Sequence, residues 1–244
     1  MKKDSSYSDH IKHYQLDGEF YDFFSPDKFM LQEIRRRYQQ VFRLFPVKKR
    51  HSILEIGSGG GFAIEQLKNI QPLFFPMDIP SVNLNTMRSN APFSIYPASA
   101  DAYQLPFKSA SFDLVLLLEV IEHLENPQIV LEEVHRVLKQ HGKIIVSVPY
   151  KEKITYQICI HCNQPTPTHS HLHSFDKNKL AKSLSSTGFM PLKIVKNCNK
   201  IPNRLHFNLI ARKLPFPVWK FIDTLFNTII DKPISLISVG QKQK

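Results

Sequence analysis

The stretch Ile53-Leu-Glu-Ile-Gly-Ser-Gly-Gly-Gly-Phe62 constrains this chain more than any other. Apolar residues carry a buried strand through Glu55, and Gly57, Gly59, Gly60 and Gly61 then break it before a helical pattern begins at Phe62. Glycines at a strand-to-helix turn admit positive φ and let a ligand approach bare backbone. The free N–H groups at the following helix start favour a carboxylate or a phosphate. A dinucleotide-binding loop places glycine first, third and sixth. Gly57 and Gly59 comply, but Phe62 takes the sixth place. What remains is Glu55-x-Gly57-x-Gly59-x-Gly61, an acid followed by alternating glycines.

Around this loop the pattern alternates strand and helix. Residues 1–24 are polar with scattered aromatics and read as a loosely structured arm. Ser25-Pro26 predicts the cap and first position of a helix running to Leu44, with Arg35, Arg36 and Arg37 facing solvent. Strands are predicted at 51–56, 72–77, 93–97, 111–118 and 143–149, with helices at 62–69, 81–89 and 128–139 between them. After an insertion at 151–175, a helix over 176–187 ends at Gly188. Residues 189–196 and 204–213 are then expected to close the sheet as an antiparallel pair. The fold class is α/β: a Rossmann-like, doubly wound sheet, mostly parallel with an antiparallel last strand. The division is residues 1–50 (arm and helix), 51–213 (sheet domain with the insertion) and 214–244 (amphipathic helix and tail). No repeat or low-complexity segment interrupts it.

Four ordered motifs carry a family resemblance over roughly residues 50–213. The loop resembles motif I of the class I S-adenosylmethionine (SAM) methyltransferases, whose cofactor bears an ammonium and a sulfonium that suit a nearby acid. Asp78 follows Gly57 by 21 residues, where such folds place an acid on the ribose hydroxyls; the other reading of Asp78 is a helix cap. Asp101-Ala-Tyr-Gln-Leu-Pro-Phe107 is similar to a segment of small-molecule methyltransferases related to the ubiquinone-biosynthesis group. Glu119-Val-Ile-Glu-His-Leu-Glu-Asn-Pro127 matches their post-strand turn. The resemblance implies SAM as cofactor, held by Glu55, Gly57, Gly59, Gly61, Asp78, Asp101, Ala102 and Glu119. Asp101 would take the adenine amino group and Ala102 the ring face. His123, and His171 in a His-Leu-His-Ser-Phe175 string also found in such relatives, are the candidate bases.

Two sets of residues could hold a metal. Glu119, Glu122 and His123 share one helical face, and in two subgroups the turn resembles, the same string holds a divalent cation. Cys159-x-x-Cys162, with His169, His171 and His173 downstream, suits tetrahedral zinc, completed by His169 and His173 if His171 serves the acceptor pocket. The alternative is a loop with free thiols.

Charge is unevenly placed. Residues 1–150 carry 17 Lys+Arg and 17 Asp+Glu, so the net +11 sits in residues 151–244, with 15 basic against 4 acidic residues. That asymmetry suits a solvated surface, an anionic acceptor, an anionic membrane or RNA. Three cysteines argue against a disulfide scaffold. No apolar run reaches membrane-spanning length, and a cytoplasmic location is expected. Val218, Trp219, Phe221, Ile222, Leu225, Phe226, Ile229 and Ile230 form an apolar stripe opposite Lys220, Asp223 and Asn227. With two acids and one lysine on its polar face, this helix is expected to pack on protein or close a homodimer rather than lie on lipid. The expected activity is SAM-dependent methyl transfer to a small-molecule, glycan or lipid-like acceptor. The alternatives are an RNA methyltransferase and a SAM- or zinc-binding interaction protein without turnover.

Overall fold

The computed structural model describes Tyr7 and residues 9–160, 163–204 and 211–243. Its frame is a seven-stranded sheet. The strands in chain order are β1 (Ser52–Ile56), β2 (Leu73–Asp78), β3 (Ala98–Ser99), β4 (Phe112–Leu118), β5 (Leu138–Pro149), β8 (Phe189–Asn199) and β9 (Pro233–Lys242). Their spatial order is β3-β2-β1-β4-β5-β9-β8. Neighbours from β3 to β5 pair in parallel, while β9 runs antiparallel to both β5 and β8. β6 (Tyr156–Ile158) and β7 (Pro165–Pro167) form a separate antiparallel hairpin within the insertion.

Alternation along the strands divides the core. Leu54, Ile56, Val115, Leu117, Ile144 and Val146 face one way, toward Val130, Leu131 and Val134 of helix α5 (Pro127–Val137) and Leu180 and Leu184 of α6 (Lys177–Ser185). Ile53, Leu114, Leu116 and Ile145 face the other, toward Tyr38 and Val41 of α2 (Lys28–Leu44), Leu67 of α3 (Ala63–Leu67) and Leu84 of α4 (Ser81–Asn90). The near-continuous apolar run of β4 is what a parallel strand covered on both faces requires.

Several expectations need correction. The arm contains a helix, α1 (His10–Phe20), whose cap is Asp9 accepting from Lys12 N–H at 3.0 Å. Asp27, not Ser25, caps α2, accepting from Phe29 and Met30 N–H at 2.8 and 2.9 Å. Arg36 is only 1% exposed. Its guanidinium donates to the carbonyls of Ala211 (2.8 Å) and Leu214 (3.1 Å) and lies 4.8 Å from the Trp219 ring. Burial lowers its pKa to about 10. The third strand is Ala98–Ser99, extended only by a bridge from Ile95 to Phe74.

The largest revision is at the carboxyl end of the chain. β9, read as tail, pairs with β5 and β8, the place expected for residues 204–213. Of that predicted strand, residues 205–210 lie outside the described residues. Arg204 ends a short helix, α7 (Lys200–Arg204), and Ala211–Lys213 is a 3₁₀ turn. Ser235 and Ser238 disguise β9, since a central strand seldom buries two hydroxyls. The last helix, α8 (Phe216–Ile229), buries Trp219, Asp223 and Asn227. Of its apolar stripe Trp219 packs on the domain and Ile222 and Phe226 are half-buried, while Val218, Phe221, Leu225 and Ile229 are exposed.

Candidate functional site

The carboxyl ends of β1, β2 and β4 surround a cavity of about 230 Å³. Open α/β sheets bind their ligands at this edge. The glycine loop forms one wall. Gly57 and Gly61 both have φ near +70°, and a Cβ on either would come within 2.6 Å of Val120 or Met87 respectively. Gly57 and Ser58 N–H donate to Met77 O at 2.9 and 3.1 Å, tying the loop to β2. Asp78 ends that strand. Its Oδ2 accepts from Gly59 N–H at 2.8 Å and its Oδ1 from Ile79 N–H at 2.9 Å. Burial raises its pKa, and these two N–H groups oppose the rise. Asp78 does not cap α4, whose N-cap is Pro80 with no side-chain bond.

Asp101 and Ala102 line the opposite wall. Asp101 Oδ1 accepts from Tyr103 N–H at 3.1 Å, and Oδ2 lies 2.9 Å from His10 Nε2. Glu119, at φ +58°, lines the cavity as well. It accepts from Ser147 Oγ at 2.6 Å and pairs with Arg37 at 3.5 Å.

Gly61 and Glu55 do not line the cavity, although Glu55 was expected to present an anion there. Strand alternation places Glu55 with Ile53 on the α2 face, 1% exposed, where Tyr38 OH donates to its Oε1 at 2.6 Å. Burial raises the Glu55 carboxyl to about 8, so it is largely a neutral acid near pH 7.

The two candidate bases meet. The His123 and His171 rings are 4.5 Å apart, edge to face, although 48 residues separate them in sequence. Leu172 and His173 N–H donate to Glu122 O at 2.7 and 3.1 Å and pin the insertion against the turn after β4. Glu152 pairs with His171 Nδ1. Burial, aided by His171, lowers His123 to about 4, so its imidazole is neutral at physiological pH. Glu122 is fully buried, and burial with Glu119 nearby raises its carboxyl well above the usual range. Among the described residues, neither oxygen of Glu122 nor Nδ1 of His123 has a hydrogen-bond partner.

Among the described residues, the group of three potential metal ligands is Glu122, His123 and His171, with ligand atoms within 4.8 Å of one another. Glu119 is held elsewhere, and His171 takes its place in the set. Cys162 lies outside the described residues. Cys159, His169 and His173 do not converge, and His173 Nε2 donates to Leu124 O at 2.8 Å.

The roof of the cavity was missed. His10, Tyr14 and Asp17 from α1, with Phe23 beyond it, close over the loop and Asp101. One signal was available: Gly18 inside a helix, where a Cβ would come within 2.2 Å of the Pro80 side chain. That glycine lets α1 lie directly on the start of α4.

Residues 54–146 match the family described as "Methyltransferase domain". Those residues thus resemble a methyltransferase domain. A probable S-adenosylmethionine-dependent methyltransferase of Mycobacterium tuberculosis is 29% identical over 157 residues, 64% of this chain and 55% of that protein. A ubiquinone biosynthesis O-methyltransferase of Bartonella quintana is 26% identical over 137 residues, 53% of this chain and 56% of that protein. The chain thus spans little more than half the length of these relatives. The fold is shared with the 1,6-didemethyltoxoflavin-N1-methyltransferase of Burkholderia thailandensis, solved with bound 1,6-didemethyltoxoflavin and S-adenosylhomocysteine. There the TM-score is 0.62 at 14% identity, covering 96% of this chain and 86% of that one. The methyltransferase domain match takes in Gly57 to Gly61, Asp78, Asp101 and Glu119 to His123. It leaves out α1, the insertion and α8, which differ most from the expected pattern.

Proposed function

We propose that this chain transfers a methyl group from SAM to a small-molecule acceptor. The observation that carries the reading is the order of groups around one cavity: glycine-loop backbone, the Asp78 carboxylate, then Asp101 with Ala102. These fit the donor. Asp78 would hold the ribose hydroxyls, Asp101 the adenine amino group and Ala102 the face of the ring. Gly57, Gly59 and Glu119 lie toward the methionine end. Bound SAM supplies a methyl group already activated by its sulfonium.

The chain's own residues have three tasks. They hold the acceptor in line with the methyl group, they exclude water, and they take up a proton where the acceptor carries one. Transfer forms a bond from the acceptor atom to the methyl carbon and breaks the methyl–sulfur bond, whose electron pair stays on sulfur. His123 is neutral and has a free Nδ1, so it is the proton acceptor of this reading, with His171 at its edge. Tyr14 and His10 on α1 shield the same space.

A second reading concerns a metal. The two unpartnered oxygens of buried Glu122, beside His123 and His171, are a fitting set for a divalent cation such as Mg²⁺ or Mn²⁺. Such an ion would polarise an acceptor oxygen and take His123 out of proton transfer. Metal content of purified wild type and Glu122→Gln separates the two: an ion lost in the variant assigns the cluster to metal. Zinc on Cys159 and Cys162 is a separate structural proposal, tested by zinc content in Cys159→Ser.

The donor assignment is tested by calorimetric titration with SAM, S-adenosylhomocysteine and NAD. Asp78→Asn keeps the shape and loses the charge behind two hydrogen bonds, so affinity for SAM should fall roughly 10- to 150-fold. Equal affinity in wild type and variant removes the ribose role. Tight NAD binding without a response to SAM overturns the function.

A further inference from the structure

α8 turns Asp223 and Asn227 inward beside Trp219 and leaves part of its apolar stripe facing outward. Val218, Phe221, Leu225 and Ile229 are 48%, 72%, 51% and 71% exposed and fall on one side of the helix. This is an unusual use of an amphipathic helix, which normally turns such a stripe to the core.

The sequence objection to a lipid surface was the pair of acids on the polar face, and the structure removes it. Asp223 is buried, accepting from Asn199 N–H at 3.0 Å and pairing with Lys220 at 3.0 Å. Asp231 is paired with Lys196 at 2.6 Å and accepts from Tyr150 OH at 2.9 Å. These are the only acids from Lys200 to the end of the chain, against eight Lys or Arg. Exposed Arg212 and Lys213 precede the helix and exposed Lys232 follows it. An outward aliphatic and aromatic stripe therefore lies between uncompensated cations.

We infer that α8 docks this protein on an anionic lipid bilayer, with Phe221, Leu225 and Ile229 entering the interface and Arg212, Lys213 and Lys232 meeting the headgroups. No described helix is long and apolar enough to cross a membrane. The contact is thus with the surface, where apolar burial and attraction to anionic headgroups add. Charge selects this occupant. A second copy would bring the same cations face to face, and RNA would leave the aliphatic side chains without a partner.

Position adds a consequence. Asn199 ends β8, which runs in the same direction as β5, and donates to Asn227 Oδ1 at 3.0 Å and Ile230 O at 2.8 Å. The carboxyl end of α8 therefore sits at the sheet edge that holds the cavity. On that edge the insertion also exposes Tyr156, Ile158 and Ile160. Docking through α8 would bring this edge toward the bilayer.

The test is co-sedimentation of the full chain with phosphatidylcholine vesicles, with and without phosphatidylglycerol. Binding is expected only to the anionic vesicles and should weaken as salt rises. The triple variant Phe221→Ser, Leu225→Ser, Ile229→Ser should bind roughly tenfold or more weakly while keeping its thermal midpoint and SAM affinity. Arg212→Glu with Lys213→Glu should also weaken binding and flatten its salt dependence. Absence of binding to either vesicle, or binding unchanged in the triple variant, overturns the inference. A dimer seen by sedimentation velocity and abolished by the triple variant assigns the stripe to a second copy instead.

Discussion

α5 and α8 are both plainly two-faced helices, and they bury opposite faces. α5 sets Val130, Leu131, Val134 and Val137 against the sheet and leaves Glu132 outside. α8 sets Asp223 and Asn227 inward around Trp219 and leaves Phe221 and Leu225 in the open. The difference lies in the receiving surface. α5 covers the middle of the sheet, where Val115, Leu117, Ile144 and Val146 offer only apolar side chains. α8 covers β8, the edge strand, whose unpaired backbone groups need partners. Lys220 Nζ donates to Lys196 O at 2.7 Å, and Asp223 accepts from Asn199 N–H. Amphipathicity announces two faces; the strand beneath decides which one turns in.

The contrast breaks first at α5. Val134→Asp places a charge inside an apolar cluster with no partner, which costs more than about 4 kcal/mol and should leave no cooperative urea transition. A variant that unfolds at the wild-type midpoint would mean that this face is not core.

α2 falls between the two helices, burying Tyr38 and Val41 together with Gln32, Arg36 and Gln40. Beneath it, Glu55 is held neutral by burial, its carboxyl raised to about 8. Between its ordinary value near 4.5 and about 8, the native state binds more proton than the unfolded chain. Its stabilising contribution is therefore complete at low pH and is lost as pH rises through that window. The slope is at most about 1.4 kcal/mol per pH unit. Glu55→Gln keeps an oxygen for Tyr38 OH and should lose this slope. Urea midpoints at pH 5, 6, 7 and 8 measure it, and parallel curves for wild type and variant would refute the neutral acid.

What the sequence reveals follows from the range of the interactions involved. The glycine loop, Asp78, Asp101 and the turn at Glu119 are local signals, each a strand end and the residues just after it, and they line one cavity. The parallel order of β1 to β5 follows from strand–helix alternation. The orientation of Glu55 was present as parity with Ile53, yet the motif drew attention to its charge instead. α1 has almost no apolar face, so only Asp9 and Gly18 mark it. The meeting of His171 with His123 and Glu122 spans 48 residues, and nothing in the spacing of the Cys/His loop foretold it. β9 and α8 depend on each other and on an edge strand. Taken alone, β9 reads as a tail and α8 as a helix with its whole apolar stripe inward, of which Trp219 is the fully buried part.

The finest separation lies within α8 itself. Asp223→Ala leaves the buried Asn199 N–H without its acceptor and takes the counter-charge from Lys220, a loss of about 1.5–3 kcal/mol. Leu225→Ser, two residues on but outside, removes little that the folded chain encloses and should stay within about 0.5 kcal/mol of wild type. A protein with its apolar stripe packed inward would show the reverse order, since burying a leucine contributes roughly 1.5–3 kcal/mol. Denaturant titrations of the two single variants under identical conditions decide between these orders. A large loss for Leu225→Ser with none for Asp223→Ala would turn the helix over, and with it the outward face on which bilayer docking depends.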